Sequence, residues 1–539
     1  MLRALSTLAF SLLGLAGAAG LLLAPRPAAA FCGFYVSGAD AKLYNNATVV
    51  VLMRDGTRTV LSMQNNYEGP PQDFALVVPV PVILKEKDVK TLAREVFDRV
   101  DALAAPRLVE YWEQDPCYIE PPRPIPAEED GPSEESSERK SGPGSARDLG
   151  VTIEAKFAVG EYQILILGAK DSTGLDLWLR QNGYTIPAGA DAVLRPYVQQ
   201  GMKFFVAKVD ARKVKFGAQG QAMLSPLRFH YDSETFSLPV RLGLLNAQGK
   251  QDLLVHVLAR ETRYELANYR NVAIPTNLDV SDATRRGFAG FYAALFDATL
   301  AHSPGAVVTE YAWSAGSCDP CPQDPLNLGE LVSLGADALP SYAEALRGDT
   351  VDSSLAYSLL AQFVLTRLHA RYGRENLGED LVFQAAPAIE GGREVPGPDG
   401  ALERGAKPAS YGNNFQARYA IRHAWTGPVA CESPRRGIWG GPPADVKAEP
   451  LQVAKDLAFV ARDASLASFV AGPIAELGGA LHPGPITPPP PDPQPPRIDP
   501  PRGGCARCDL SEGPGAPAAL GLGLLLGLLR RRPRRGGAL

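Results

Sequence analysis

The sequence predicts an α+β fold, β-rich, with antiparallel sheets and several packed helices, and three observations carry that prediction. Asp55-Gly56 stands between "ATVVVLMR" and "TRTVLSMQ", and a glycine that accepts positive φ between two β-branched runs is a strong hairpin signal. In "FQARYAIRHAW", Phe415, Ala417, Tyr419, Ile421, His423 and Trp425 alternate with Gln416, Arg418, Ala420, Arg422 and Ala424, the period of two of a half-buried strand. From Asp88, by contrast, Val89, Leu92, Val96, Val100 and Leu103 recur on one helical face until Pro106 ends the run.

The remaining elements follow in chain order. "DFALVVPVPVIL" reads as an apolar strand in which Pro79 and Pro81, lacking N–H donors, mark an edge or a strand end. "RLVEYWE" returns to strand character before Cys117. Residues 119–148 carry eight acidic and four basic residues among many Pro, Gly and Ser. Such a segment buries too little apolar surface to offset its ordering entropy, so it is expected to be a disordered insertion within one β-rich domain. Strands resume in "VTIEAKF" and "EYQILILGA", helices are expected in "STGLDLWLRQNGY" and "ADAVLRPYVQQG", and strands dominate again through "MKFFVAKV", "PLRFHYDSETFSLPVRLGLL" and "DLLVHVLARETRYEL". A helix is expected from Ser281 or Asp282, with Phe288, Phe291, Leu295 and Thr299 on one stripe, and "FVLTRLHARY" reads as a strand, with a helix as the alternative.

The two ends read as addresses. Residues 1–30 have a basic residue at Arg3, an apolar run and a small-residue Ala28-Ala29-Ala30 end, the pattern of a secretory signal peptide cut between Ala30 and Phe31. The globular region then spans residues 31–482. Residues 483–504 form a proline-rich spacer, with eleven prolines in the nineteen residues from Pro483 to Pro501, extending to roughly 60 Å at about 3.1 Å per residue. Residues 505–539 combine Cys505, an apolar segment from Ala516 to Leu529, and the cluster Arg530, Arg531, Arg532, Arg534 and Arg535. Fourteen apolar residues rise only about 21 Å as a helix, short of a bilayer core of roughly 30 Å, while the arginines hold that end cytoplasmic. A formal net charge of −5 gives no electrostatic case for a nucleic-acid partner.

Export makes cysteine pairing the expectation. Seven cysteines are present, five of them in the body, so at least one body cysteine is expected to lack a partner there. Loop entropy yields about 2 kcal/mol for Cys318 with Cys321, and about 4.5 for Cys32 with Cys117 or for a bridge from either of the first two to Cys431. The expected pairs are Cys32 with Cys117 and, because adjacency makes closure easy, Cys318 with Cys321.

Cys318-Asp319-Pro320-Cys321 is the one motif with chemical promise, since a C-x-P-C pair at a helix N-terminus can be redox-active. No thioredoxin-type strand–crossover–helix pattern surrounds it, which favours a structural pair. The six histidines lie at least twenty-six residues apart, and no H-E-x-x-H, G-x-S-x-G, Walker or dinucleotide motif is present. The expectation is therefore no catalytic, cofactor-binding or metal residue. "EYWE", Glu110 to Glu113, sets two carboxylates around aromatics, a pattern open to glycan contact; a strand with Tyr111 and Trp112 on opposite faces is the simpler account.

Two resemblances add to this. The tripartite tail resembles the myxobacterial C-terminal sorting signal, with Cys505 in the matching position and Cys508 close behind. That resemblance implies recognition by a membrane protease, removal of the hydrophobic helix and display at the cell surface, with a retained membrane anchor as the alternative. The stretches "FCGFYVSGADAKLYNNATVVVLMRDGTRTVLSMQNNYEGPPQDFALVVPVPV", "SPLRFHYDSETFSLPVRLGLL", "CDPCP" and "FVLTRLHARY" are similar to the bacterial exported family called domain of unknown function 2330, over Phe31 to about Trp425. No activity comes with that name. The expected function is an exported cell-envelope or cell-surface protein acting as a non-catalytic binding or structural module, ligand unknown. The alternative is an envelope enzyme, either a thiol-disulfide protein using Cys318 and Cys321 or a hydrolase with a dispersed site.

Overall fold

In a computed structural model the described residues are 34–36, 48–64, 75–118 and, with short gaps, 151–481. The segments read from sequence as a signal peptide, an acidic insertion, a spacer and a sorting tail, with Ala30, Phe31, Cys32, Cys505 and Arg530 to Arg532, lie outside them.

The Asp55-Gly56 turn closes the predicted hairpin of β1 (Thr48–Asp55) and β2 (Arg58–Gln64). The strand β3 (Ala75–Val80) follows, then the helix α1 (Glu95–Ala104) and the strand β4 (Arg107–Glu113). Next come β5 (Val151–Val159) and β6 (Tyr162–Ala169), the helices α2 (Ser172–Gln181) and α3 (Ala190–Gln199), and the strands β7 (Lys203–Val209), β8 (Leu227–Asp232) and β9 (Gln251–Arg260). The long helix α4 (Thr284–His302) precedes β10 (Val307–Ser314), a short helix α5 (Leu328–Leu334) and β11 (Phe363–Tyr372). The described chain closes with β12 (Arg418–His423), β13 (Trp439–Gly440) and β14 (Gln452–Val453).

A central mixed sheet runs β10-β11-β9-β1-β2-β8, with β1 parallel to β9 and the other neighbours antiparallel. It is apolar on both faces, as a middle layer must be. Val50 and Leu52 of β1 pack toward a five-stranded sheet that contains β3, β7, β6 and β5, while Val51 and Met53 pack toward α1 and α5. The far face of the five-stranded sheet is covered by α2 and α3 through Leu175, Leu179, Leu194 and Tyr197. A third sheet, in which β12 runs parallel to β4, packs with α4 around Phe288, Phe291, Leu295 and Tyr419. The predicted class stands, and so does the strand reading of residues 363–372.

Three expectations are corrected. Residues Val89 to Thr91 form a strand paired with Leu227 to Phe229, and the helix begins only at Glu95; pairing on the edge of β8 captures the start of the helical pattern. The alternation in 415–425 is two strands. Asn414–Gln416 pairs with β10 and Arg418–His423 with β4, and the chain changes sheet at Ala417. The alternation survives because Phe415, Ala417, Tyr419 and Ile421 still face one core. Finally, Cys117 is bonded to Cys431 with Cα atoms 5.6 Å apart, not to Cys32. Cys117 follows β4 and Cys431 precedes β13, which pairs with β4, so the sheet delivers the two thiols to each other. The Cys318–Cys321 bond forms as expected. Pro79 lies inside β3, in register with Phe204 of β7 but beyond the Ala75 to Val77 stretch that pairs with Phe34–Val36, consistent with an edge position.

Candidate functional site

Strand alternation gathers a dense cluster of buried charge among the described residues. On β11, Arg367, His369 and Arg371 point to one side, where Glu310 of β10 and Asp252 of β9 meet them. Glu310 accepts from Arg367 Nε at 2.6 Å and lies 2.7 Å from His369 Nδ1, and His369 Nε2 lies 3.1 Å from Asp252 Oδ1. Arg371 and Arg462 donate to Asp252, and Arg367 donates to Asp101 at 2.6 Å. Tyr292 of α4 donates to Glu310, and Phe296, one turn on, stacks on the His369 ring at 3.8 Å. Burial alone would raise the Glu310 and Asp252 carboxyls, but His369 with Arg367 in the first case, and His369 with Arg462 and Arg371 in the second, hold both down at about 2. Burial likewise works against a charged His369, yet Glu310 and Asp252 outweigh it and raise its pKa. Glu310, Arg367 and His369 are wholly excluded from solvent. A carboxylate–imidazole–carboxylate chain that no substrate reaches fastens strands rather than moving protons. Nearby His256 is buried without a hydrogen-bond partner among the described residues, and burial lowers it to about 4, so it stays neutral.

The accessible site lies at the edge of β4. The backbone N–H of Arg107 donates to Ala417 O of the β12 side, and that of Gln114 to Ile438 O of the β13 side. By strand alternation the N–H and C=O of Leu108, Glu110 and Trp112 therefore face the outer edge. There Leu108 registers with Gln452 of β14, and Trp112 with Gly440 of β13. Between them Val109, Glu110 and Tyr111 have no partner in register, because the chain opposite leaves the sheet through residues 441–451. The gap is the floor of a cleft of about 270 Å³, walled by Tyr111, Trp112, Pro442, Pro450 and Leu451 and by the carboxylates of Asp319, Glu394 and Glu449.

Buried polar side chains hold each wall. Arg107, fully buried, donates to Pro320 O at 2.8 Å, and Gln416 donates to Asp319 O, so the Cys318–Cys321 loop is fastened from beneath at its two middle residues. Gln416 also donates to Gly392 O at 2.9 Å. Gly392 has φ +68°, and a Cβ there would lie 1.9 Å from Gln416 O, so only glycine lets the segment leading to Glu394 approach this closely. Arg418 donates to Tyr111 Oη at 2.8 Å and to Asn277 at 3.0 Å, and its guanidinium lies 5.5 Å from the Tyr111 ring centre. Burial raises the Tyr111 hydroxyl, Arg418 opposes that, and Glu394 adds to it; the phenol is neutral and available as a hydrogen-bonding group. On the other face of β4, Glu110 takes a bidentate pair from Arg285 at 2.6 and 2.7 Å and lies 2.9 Å from His423 Nε2, while Trp112 stacks on His423.

Tyr111 and Trp112 thus occupy opposite faces of one strand, as the sequence suggests, and both reach the cleft. Cys318 and Cys321 serve as its frame. Among the described residues no helix begins at Cys321; α5 starts at Leu328, capped by Asn327 and Glu330, so the dipole that activates a C-x-P-C thiol is not there. Asp319, Glu394 and Glu449 are exposed, and among the described residues none forms an ion pair. Their separation in sequence left no signal to find them. A second cleft of about 570 Å³ is lined by Arg58, Lys90, Arg228 and His230. Its arginines and Lys90 are engaged with Asp232, Asp337 and helix-end carbonyls, so that wall is fastened by its own charges. No group of three or more metal-ligating side chains is found among the described residues, and no helix among them is long and apolar enough to cross a membrane.

The chain belongs to a bacterial family described as an uncharacterized protein conserved in bacteria (DUF2330), whose profile matches residues 26–384. The match ends short of the resemblance read from sequence, which reached about Trp425. The floor of the cleft and its Asp319 wall fall inside the matched region; Glu394 and the 442–452 wall fall beyond it. No curated protein and no solved structure matches the chain.

Proposed function

We propose that this member of the family is an exported cell-envelope protein whose task is binding, with the cleft at the edge of β4 as the ligand seat. The observation that carries the reading is the pairing gap at Val109 to Tyr111. It leaves main-chain hydrogen-bonding groups, aromatic side chains and three carboxylates that form no ion pair among the described residues around one concavity, a make-up that suits a small-ligand site. The same cleft holds no serine, cysteine or lysine nucleophile beside a base among the described residues, and the Glu310–His369–Asp252 chain is sealed. Binding accounts for both facts; a hydrolase of the serine or cysteine type accounts for neither.

The address rests on the sequence. The signal peptide, the proline-rich spacer and the Cys505–arginine tail support passage through the membrane, processing by a sorting protease and display at the surface. Fractionation of cells carrying the full chain or a chain ended after Pro501 tests this: the truncated form should leave the surface fraction, and equal surface amounts of both would overturn the role of the tail. Binding is tested by thermal shift of the exported protein against envelope sugars, peptides and amines. At least one class should raise Tm in the native chain and fail to do so in Glu394→Gln; a panel without such a ligand would overturn the reading.

A further inference from the structure

We infer that the cleft at the edge of β4 docks a short basic segment of a partner protein, held in extended conformation through one central residue. This deepens the binding reading above and rests on it. Val109, Glu110 and Tyr111 lack a partner in register between β13 and β14, and of the three only Glu110 turns its N–H and C=O outward. In an antiparallel ladder one extended residue presents its own N–H and C=O to the same side and exchanges both hydrogen bonds with the residue opposite. A single peptide residue facing Glu110 therefore completes the edge. The open stretch spans about 10 Å, so a docked segment runs alongside it for roughly three residues and then turns away from the flanking strands.

Charge selects the side chains, independently of the edge. The lining carries Glu110, Asp319, Glu394 and Glu449 and, among the described residues, no lysine, arginine or histidine. Two guanidinium groups act on this set from outside the lining: Arg285 is taken bidentately by Glu110, and Arg418 lies behind Tyr111, to whose hydroxyl it donates. Four carboxylates against two cations leave the cleft negative, so it favours a basic occupant. Asp319 and Glu394 act on Tyr111 and Arg418, whereas Glu449 acts on Arg285, which puts the first two on the Tyr111 face of β4. Residues directly opposite share a face of a sheet. The two neighbours of the residue facing Glu110 therefore stand opposite Val109 and Tyr111 and project toward Asp319 and Glu394. Arginine suits both positions: its planar fork matches carboxylates, and its stem can lie along the apolar surface of Tyr111 and Leu451.

The test is calorimetric titration of the full chain with the capped tripeptide acetyl-Arg-Ala-Arg-amide, with the same peptide N-methylated at its alanine, with acetyl-Glu-Ala-Glu-amide and with putrescine, a diamine of the same charge as the first. The arginine peptide should bind saturably, the N-methylated form and putrescine at least tenfold more weakly, and the acidic peptide without detectable heat. Glu394→Gln should lower the affinity for the arginine peptide about tenfold with Tm unchanged, because hydrogen bonds to a charged group are the stronger kind, while Lys87→Ala, at the other cleft, should leave it as it was. Equal binding of the N-methylated peptide would overturn the edge contact, and putrescine binding as tightly as the peptide would assign the cleft to a free amine instead. Equal binding of the acidic peptide would overturn the role of charge, and peptide binding untouched by Glu394→Gln would place the segment elsewhere. If the arginine peptide fails while another ligand acts through Glu394, this inference falls and the binding reading stands; if none acts through Glu394, both fall.

Discussion

The Glu310–His369–Asp252 network and the β4 cleft are built from the same side-chain chemistry and differ in how many partners each group has. In the network the carboxylates meet arginines or an imidazole, and Tyr292 and Phe296 close the remaining side. In the cleft the carboxylates of Asp319, Glu394 and Glu449 form no ion pair among the described residues: the Tyr111 phenol lies beside Glu394, and Arg418 and Arg285 act on the set only from a distance. Charge density therefore does not point to function in this molecule; incompleteness does. The network is finished by the protein; the cleft, on the proposed reading, is finished by a ligand.

Glu310→Ala is the largest expected effect. It leaves Arg367 and His369 buried without their shared acceptor, and breaking a buried pair costs about 3–5 kcal/mol, so Tm should fall steeply while the ligand affinity of the folded fraction stays unchanged. Loss of affinity without loss of stability would mean that the two regions are one site. The pH dependence of stability probes the same network. His369, raised in the folded state, contributes fully below the unfolded value of about 6.5, and its contribution fades as pH climbs through the folded pKa. Glu310 and Asp252, lowered to about 2, contribute above the unfolded range near 4 and lose their effect as pH falls toward 2. Thermal melts should therefore show greatest stability between about pH 5 and 7; a profile flat from pH 3 to 8 would remove the network as a major prop.

Next in size is the Cys117–Cys431 bridge. A bond closing so long a loop contributes about 2–5 kcal/mol, and it ties the lead into β13 to the end of β4. Cys117→Ser with Cys431→Ser should lower Tm and weaken ligand binding together, because β13 bounds the gap. A double variant that loses stability but binds normally would show that the gap does not depend on β13.

What the sequence disclosed tracks how local the physics is. The Asp55-Gly56 hairpin, the Phe288 stripe of α4 and the strand 363–372 were legible because their signals lie within a dozen residues. The pairing of Cys117 was not, because it depends on where β13 docks three hundred residues later. Val89 misled because an edge strand offered hydrogen bonds that periodicity cannot register. The cleft was half legible: Tyr111 and Trp112 stood out in "EYWE", whereas Asp319, Glu394 and Glu449 became neighbours only through the sheet change at Ala417 and the close approach at Gly392.

The smallest effect is expected at Cys318 and Cys321, and it separates a frame from a catalyst. Bridging residues three apart contributes about 2 kcal/mol by loop entropy, and Arg107 and Gln416 still hold the Pro320 and Asp319 carbonyls when the bond is gone. The double serine variant should lose little in Tm. Its Asp319 wall would be looser, so ligand affinity should drop about two- to fivefold, less than for Glu394→Gln. Reduction of the native chain by a mild dithiol should give the same drop and be reversed on reoxidation. If the double variant instead binds like the native chain but the native disulfide oxidises a dithiol substrate with turnover, the motif is a redox centre and the cleft its docking groove.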